Sequence, residues 1–135
     1  EEIGTSGRSA IGLEYQLIDD FARAHAESTG GKGRLGGLYD LIAPPVAKPF
    51  AGAEIWHTAR IVSEGGHVEH WLDGTELIEF DRSSDDFRRR IDESKFKSIS
   101  GFGKVNRGHI LLQDHGDGAA FRNIKIKAMQ QPPAS

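Results

Sequence analysis

The sequence predicts an all-β chain: an antiparallel two-sheet β-sandwich with one short helix. Three observations carry that expectation. Glycine contributes 17 of 135 residues, nearly twice the usual ~7%, and without low complexity that excess means many tight turns. Several short stretches alternate apolar and polar residues, the period of a half-buried strand. Two of the turn dipeptides, Gly65-Gly66 and Asp73-Gly74, are those of two-residue hairpins, where positive φ is needed.

Taken in order, Gly12–Ile18 reads as a first strand, with Leu13, Tyr15 and Leu17 on one face and Glu14 and Gln16 on the other. Residues 22–34 read as a long loop, and Leu35–Ile42 as a second strand that stops at Pro44-Pro45, since proline cannot continue a ladder. Ala53–Glu64, His67–Asp73 and Thr75–Asp81 form a continuous meander. Two-residue turns set its register: His70 opposite Ile61 and Leu77, Leu72 opposite Ala59 and Thr75, with Arg60, Trp71 and Glu76 aligned on the other face. The face of His70 and Leu72 is aliphatic and expected to be core. Ser83–Ser94 is the helical stretch, capped by Ser84 with Asp85 and Asp86 in its first turn and Phe87 and Ile91 one turn apart. The final strands are expected at His109–Asp114 and Ala119–Ala128. The whole of 1–135 reads as one domain, frayed at 1–10 and 129–135.

Composition narrows function. With 17 Lys+Arg against 20 Asp+Glu, the net charge is −3, so there is no general attraction to nucleic acid or anionic membrane. The absence of cysteine excludes disulfide scaffolds, thiolate zinc sites and cysteine nucleophiles. No apolar run approaches the ~18 residues of a membrane span.

Several motifs fail on mechanism. Gly31-Lys32-Gly33-Arg34-Leu35-Gly36 spells a dinucleotide fingerprint, but it precedes a predicted strand, whereas the fingerprint needs a helix N-terminus at the phosphate. No nucleotide cofactor is expected. Arg88-Arg89-Arg90 lies among Asp85, Asp86, Asp92 and Glu93, the pattern of a solvated helix face laced with ion pairs. His67 and His70 point to opposite faces of one strand and cannot chelate together. Asp114 and Asp117 lack the rest of a calcium loop. A divalent metal held by His, Asp and Glu from distant strands stays open.

Other residues suggest a ligand. Glu14 and Gln16 would offer a polar wall to a hydroxyl-rich molecule. Trp71 between Arg60 and Glu76 is either a cross-strand stack or a platform for the apolar face of a sugar ring. Gln113, His115 and Arg122 gather near the last turn. His70, on the aliphatic face, is by pattern alone more often a satisfied core histidine than a catalyst.

Four stretches, taken together, resemble the 3-keto-disaccharide hydrolase family over about residues 12–127: Gly-Leu-Glu-Tyr-Gln-Leu-Ile-Asp-Asp (12–20), Gly-Gly-Leu-Tyr-Asp (36–40), His-Val-Glu-His-Trp-Leu-Asp-Gly (67–74) and Gly-His-Ile-Leu-Leu-Gln-Asp-His-Gly (108–116), which leads into Phe-Arg-Asn-Ile-Lys-Ile (121–126). The resemblance implies a concanavalin A-like jelly roll and bacterial sugar metabolism in the periplasm or cell envelope. It also implies cleavage of 3-keto-glycosides, with Glu14, His70 and His115 as catalytic candidates and Gln16, Arg60, Trp71, Gln113 and Arg122 as substrate-binding candidates. Members of the family usually carry further strands before the Glu-Tyr-Gln segment. Their lack here is expected to leave an open sheet edge near Glu14, covered by a second chain or prone to self-association. Two rival readings share the same fold: a binding module without chemistry, and a structural sandwich completed by a partner.

Overall fold

The computed structural model describes residues 11–21, 29–114, 116 and 118–129. The expected frayed ends at 1–10 and 129–135 (Met129 apart), residues 22–28 of the expected loop, His115 and Asp117 lie outside the described residues.

The regular structure is a meander followed by a helix: β1 (Ala59–Glu64), β2 (His67–Leu72), β3 (Thr75–Asp81) and α1 (Asp85–Asp92). The sheet is antiparallel in the order β1-β2-β3. The Asp73-Gly74 turn has positive φ at both positions (47° and 80°), whereas at Gly65-Gly66 only Gly65 is positive (60°). The first is the geometry of a type I′ turn and the second that of type II′.

The β1–β2 register is the expected one, with Ala59 opposite Leu72, Arg60 opposite Trp71 and Ile61 opposite His70. β2–β3 corrects the sequence reading by one residue. Trp71 faces Glu76 and Leu72 faces Thr75, but His70 faces Ile78 rather than Leu77, across a bulge. The reason is legible in Leu77-Ile78-Glu79-Phe80, where two adjacent apolar residues break the alternation. In a regular ladder Ile78 and Phe80 would share the solvent face with Glu76. The extra residue moves them to the core side, and Leu77, Ile78 and Phe80 are all buried.

The core lies against that one face. Val68, His70 and Leu72 of β2 meet Leu77, Ile78 and Phe80 of β3, together with Leu35, Leu38, Leu41, Phe87, Phe96 and Phe102. Helix α1 contributes Phe87, whose ring stacks on Phe80 at 5.4 Å. Its start is set by Ser84, which accepts a hydrogen bond from the Phe87 backbone N–H at 3.1 Å, satisfying one of the free amides of the first turn. The arginine run pairs locally, Arg88 with Asp85, Arg89 with Asp86 and Arg90 with Asp86, as a solvated helix face should.

Four expected strands do not form. The Leu35–Ile42 stretch is a chain of turns in which Leu38 and Ile42 exchange backbone hydrogen bonds around Asp40, whose φ is 61°. Leu35, Leu38 and Leu41 are buried at every third position, a spacing that a turn buries and a strand cannot. Gly12–Ile18 is extended and bonds to this turn through Gln16 and Glu14, yet makes one bridge only, Tyr15 to Leu38. His109–Asp114 and Ala119–Ala128 carry no ladder at all. Ile110, Ile124 and Ile126 are 75%, 62% and 77% exposed. Only 123–127 carries the strand period, and even there a strand needs a neighbour to take its N–H and C=O groups, which no described residue offers. Ala53–Glu64 becomes strand only from Ala59. Ile61, expected in the core, is exposed because the core cluster packs on β2 and β3 and stops short of edge strand β1. A second sheet is not among the described residues.

Candidate functional site

Two groups of residues gather around β2, one on each of its faces. On the buried face, His70 is 2% exposed. Its Nδ1 donates to the Gly36 carbonyl oxygen at 3.0 Å, the Tyr15 ring lies 4.6 Å away and Phe80 meets it edge-on at 5.8 Å. The Gly36 bond supplies the partner that a buried imidazole needs, whose absence would cost about 1–3 kcal/mol. Burial holds the His70 pKa below its ordinary value, opposed by the carbonyls of Gly36 and Gly37. The ring is therefore neutral, and with Nδ1 protonated the basic lone pair sits on Nε2.

The Gly36-Gly37 corner is built to meet this ring. Gly36 has φ +85°, and a Cβ there would stand 2.2 Å from Leu77 Cδ1. Its N–H donates to Gln16 O at 2.8 Å, and Gln16 N–H returns a bond to Gly37 O at 3.0 Å. Tyr15 crosses to the sheet, its hydroxyl donating to Trp71 O at 3.0 Å. Burial first, then the charge of Asp73, raises the Tyr15 pKa and keeps the phenol neutral. The segment bearing Glu14 and Gln16 is thus fastened beside His70.

On the open face, Arg60 lies over Trp71, 5.3 Å from the ring centroid. The Trp71 indole donates to Glu69 Oε2 at 2.7 Å, and His67 Nε2 stands 3.2 Å from Glu69 Oε1. The indole bond is the main cause of a lowered Glu69 pKa. The Trp71 ring is half-buried while Leu72 is 1% exposed, so the sheet faces the way its alternation demands.

Arg122 sits elsewhere, 4.0 Å above the exposed ring of Trp56. Gln113 is exposed on the C-terminal stretch, and the structure does not bring it to Arg122 by any described contact. Among the described residues, no group of three or more His, Asp or Glu side chains is arranged to hold a metal ion, and no helix is long and apolar enough to cross a membrane.

Sequence reasoning missed three participants. Alternation places Tyr15 on the apolar face and no more, because its hydroxyl bond depends on a contact across 56 positions. The Glu69–Trp71 bond was within reach, since residues two apart share a strand face. The pair of His57 and Asp73, with Nδ1 and Oδ2 2.6 Å apart, was hidden because Asp73 also serves the turn.

Residues 4–127 match the family described as the 3-keto-alpha-glucoside-1,2-lyase-like domain. The chain belongs to that family. A 3-keto-disaccharide hydrolase of Bacteroides thetaiotaomicron is 30% identical over 131 residues, covering 86% of this chain and 43% of the relative. The chain thus spans less than half the length of that relative. A crystal structure from Parabacteroides distasonis, provisionally assigned as a glycosyl hydrolase, is 26% identical over 53% of this chain and 33% of its own, with a TM-score of 0.49. As a member of the 3-keto-alpha-glucoside-1,2-lyase-like family, the chain carries matched sequence on both faces of β2 and along 109–126.

Proposed function

We propose that this chain acts on 3-keto-glycosides, cleaving the glycosidic bond by elimination followed by hydration. The match of residues 4–127 to the 3-keto-alpha-glucoside-1,2-lyase-like family carries the reading, and the relative named as a 3-keto-disaccharide hydrolase supports it. In this reading the three-stranded meander is part of a concanavalin A-like sandwich, and the protein works on periplasmic or envelope sugars.

The chemistry needs no redox step. A carbonyl at the sugar's third carbon acidifies the hydrogen on the second. A base removes that proton, and the enolate expels the oxygen substituent from the first carbon, leaving a double bond between the first and second carbons. Water then adds across it, hydroxyl to the first carbon and hydrogen to the second. This asks for a general base, an acid for the leaving group and a stabiliser for the enolate oxygen. Glu14, His70 and His115 are the proposed acid–base groups, and Arg122 the proposed partner of the enolate. A neutral His70 with its lone pair on Nε2 suits a base. Gln16 and Gln113 would bind hydroxyls, while Trp71 with Arg60, on the opposite face of β2 from His70, would stack a sugar ring there and not the ring beside the base.

The test is turnover of a 3-keto-disaccharide by the full chain, read as release of the two sugars, with His70→Gln alongside. Turnover that collapses in the variant while its melting temperature holds supports the reading. Binding of the sugar without release, by the parent chain, would replace it with the binding-module reading.

A further inference from the structure

Both ring nitrogens of His57 face atoms that only accept hydrogen bonds. Nδ1 lies 2.6 Å from Asp73 Oδ2, and Nε2 lies 2.9 Å from the Gly52 carbonyl oxygen. A neutral imidazole has one N–H and one lone pair. It satisfies one of these contacts and sets a lone pair against an oxygen at the other. Only the imidazolium satisfies both.

The partner is fixed in place. Asp73 Oδ1 accepts from the Thr58 backbone N–H at 2.7 Å, and the Asp73 N–H donates to Thr58 O at 2.9 Å. The His57 side chain is only 15% exposed, with Phe50 packed 5.0 Å from its ring and Phe21 stacked on Phe50 at 5.3 Å. The preceding residue is Trp56, which carries Arg122 on its ring. One imidazole therefore bonds through Nδ1 to the turn that joins β2 and β3, and through Nε2 to Gly52 of its own 50–57 stretch.

We infer that His57 and Asp73 form a proton-operated latch: the charged imidazole, seated on Asp73, folds the 52–56 loop back onto itself, and the neutral one keeps Asp73 and releases Gly52. The latch rests on the hydrogen-bond geometry and is independent of the sugar reading. The bond to Asp73 is the main cause of a raised His57 pKa, with burial opposing and Gly52 adding to it. Burial alone would raise Asp73, but the Thr58 amide and His57 hold its carboxyl below the usual range. Two further ionisable groups bear on the pair: Tyr15, which stays neutral near Asp73, and Arg122, a fixed cation on the neighbouring indole. The sign follows. A raised folded pKa means the latch is closed below the ordinary histidine value of ~6.5 and opens as pH rises through the folded value.

Asp73→Asn reverses the device. The carboxamide oxygen stays on the Thr58 N–H, and its NH2 group now faces Nδ1. The neutral imidazole with its proton on Nε2 then satisfies both neighbours, and the charged one does not. Asn-Gly suits the turn as well as Asp-Gly, so the variant keeps the hairpin. The experiment follows the Gly52 amide, the Trp56 indole and the His57 ring of the full chain by NMR from about pH 5 to 9. One shared transition above ~6.5 is expected in the parent. In Asp73→Asn it should fall by a unit or more with the open state on the acid side, and in His57→Gln it should vanish from Gly52 and Trp56. A parent in which Gly52 and Trp56 ignore pH, or an Asp73→Asn transition equal to the parent's, would overturn the latch.

Discussion

Strand β2 and the stretch at 119–126 share features in sequence: each mixes apolar with polar residues, the latter alternating cleanly from Asn123, and each carries one of Phe, Trp or Tyr. Their fates differ. In β2, Val68, His70 and Leu72 are buried and every residue has cross-strand partners. In 119–126, Ile124 and Ile126 stand in solvent and no ladder forms. Alternation is a statement about two faces, and it becomes a strand only where turns hold a neighbouring edge in register. The tight turns at Gly65-Gly66 and Asp73-Gly74 do that for β2. The 119–126 stretch is preceded by a longer glycine-rich connection, and its one described side-chain anchor is Arg122 on Trp56.

The largest expected effect follows directly. Leu72→Ala should cost about 2–5 kcal/mol in denaturant unfolding, whereas Ile124→Ala should stay within about 0.5 kcal/mol. Equal losses would mean that 119–126 is packed in solution and would break the contrast. Gly36→Ala comes next. Its Cβ would meet Leu77 Cδ1 at 2.2 Å in a left-handed conformation, so a loss of about 1–3 kcal/mol is expected. That loss should be accompanied by a shifted His70 ring signal, because the Gly36 carbonyl is the imidazole's partner. Ser84→Ala should remove about 1 kcal/mol through the lost helix cap, with hydrogen exchange quickening in α1 and unchanged in β2.

The two histidines sharpen the comparison through pH. Burial lowers His70, so its stabilisation is present above ~6.5 and declines as pH falls through the folded value. His57 is raised, and its stabilisation is full below ~6.5 and declines as pH rises. Unfolding measured across this range should show His70→Gln removing destabilisation on the acid side and His57→Gln removing it on the alkaline side. A single variant that flattens both limbs would show that the two rings are coupled.

How much of this was legible before the structure depends on how local the physics is. The hairpins, the helix and its Ser84 cap, the solvated arginine run and the opposed faces of Trp71 and Leu72 all follow from neighbours within a few positions, and the sequence alone determined them. The bulge at Leu77-Ile78 was written in the broken alternation but needed β2 as a ruler to place it. The strands expected at 12–18, 109–114 and 119–128 failed because a strand exists only with its partner, which no local pattern supplies, whereas 35–42 turns because its leucines recur at every third position. For the candidate site, the sequence marked His70 as a buried imidazole that must find a partner, and Trp71 with Arg60 as a stack. That the partner is Gly36 O, that Tyr15 lies along the ring, and that His57 reaches both Asp73 and Gly52 were decided by tertiary structure. These contacts span up to 56 positions of chain, and only the folded core brings such distant groups within hydrogen-bond distance.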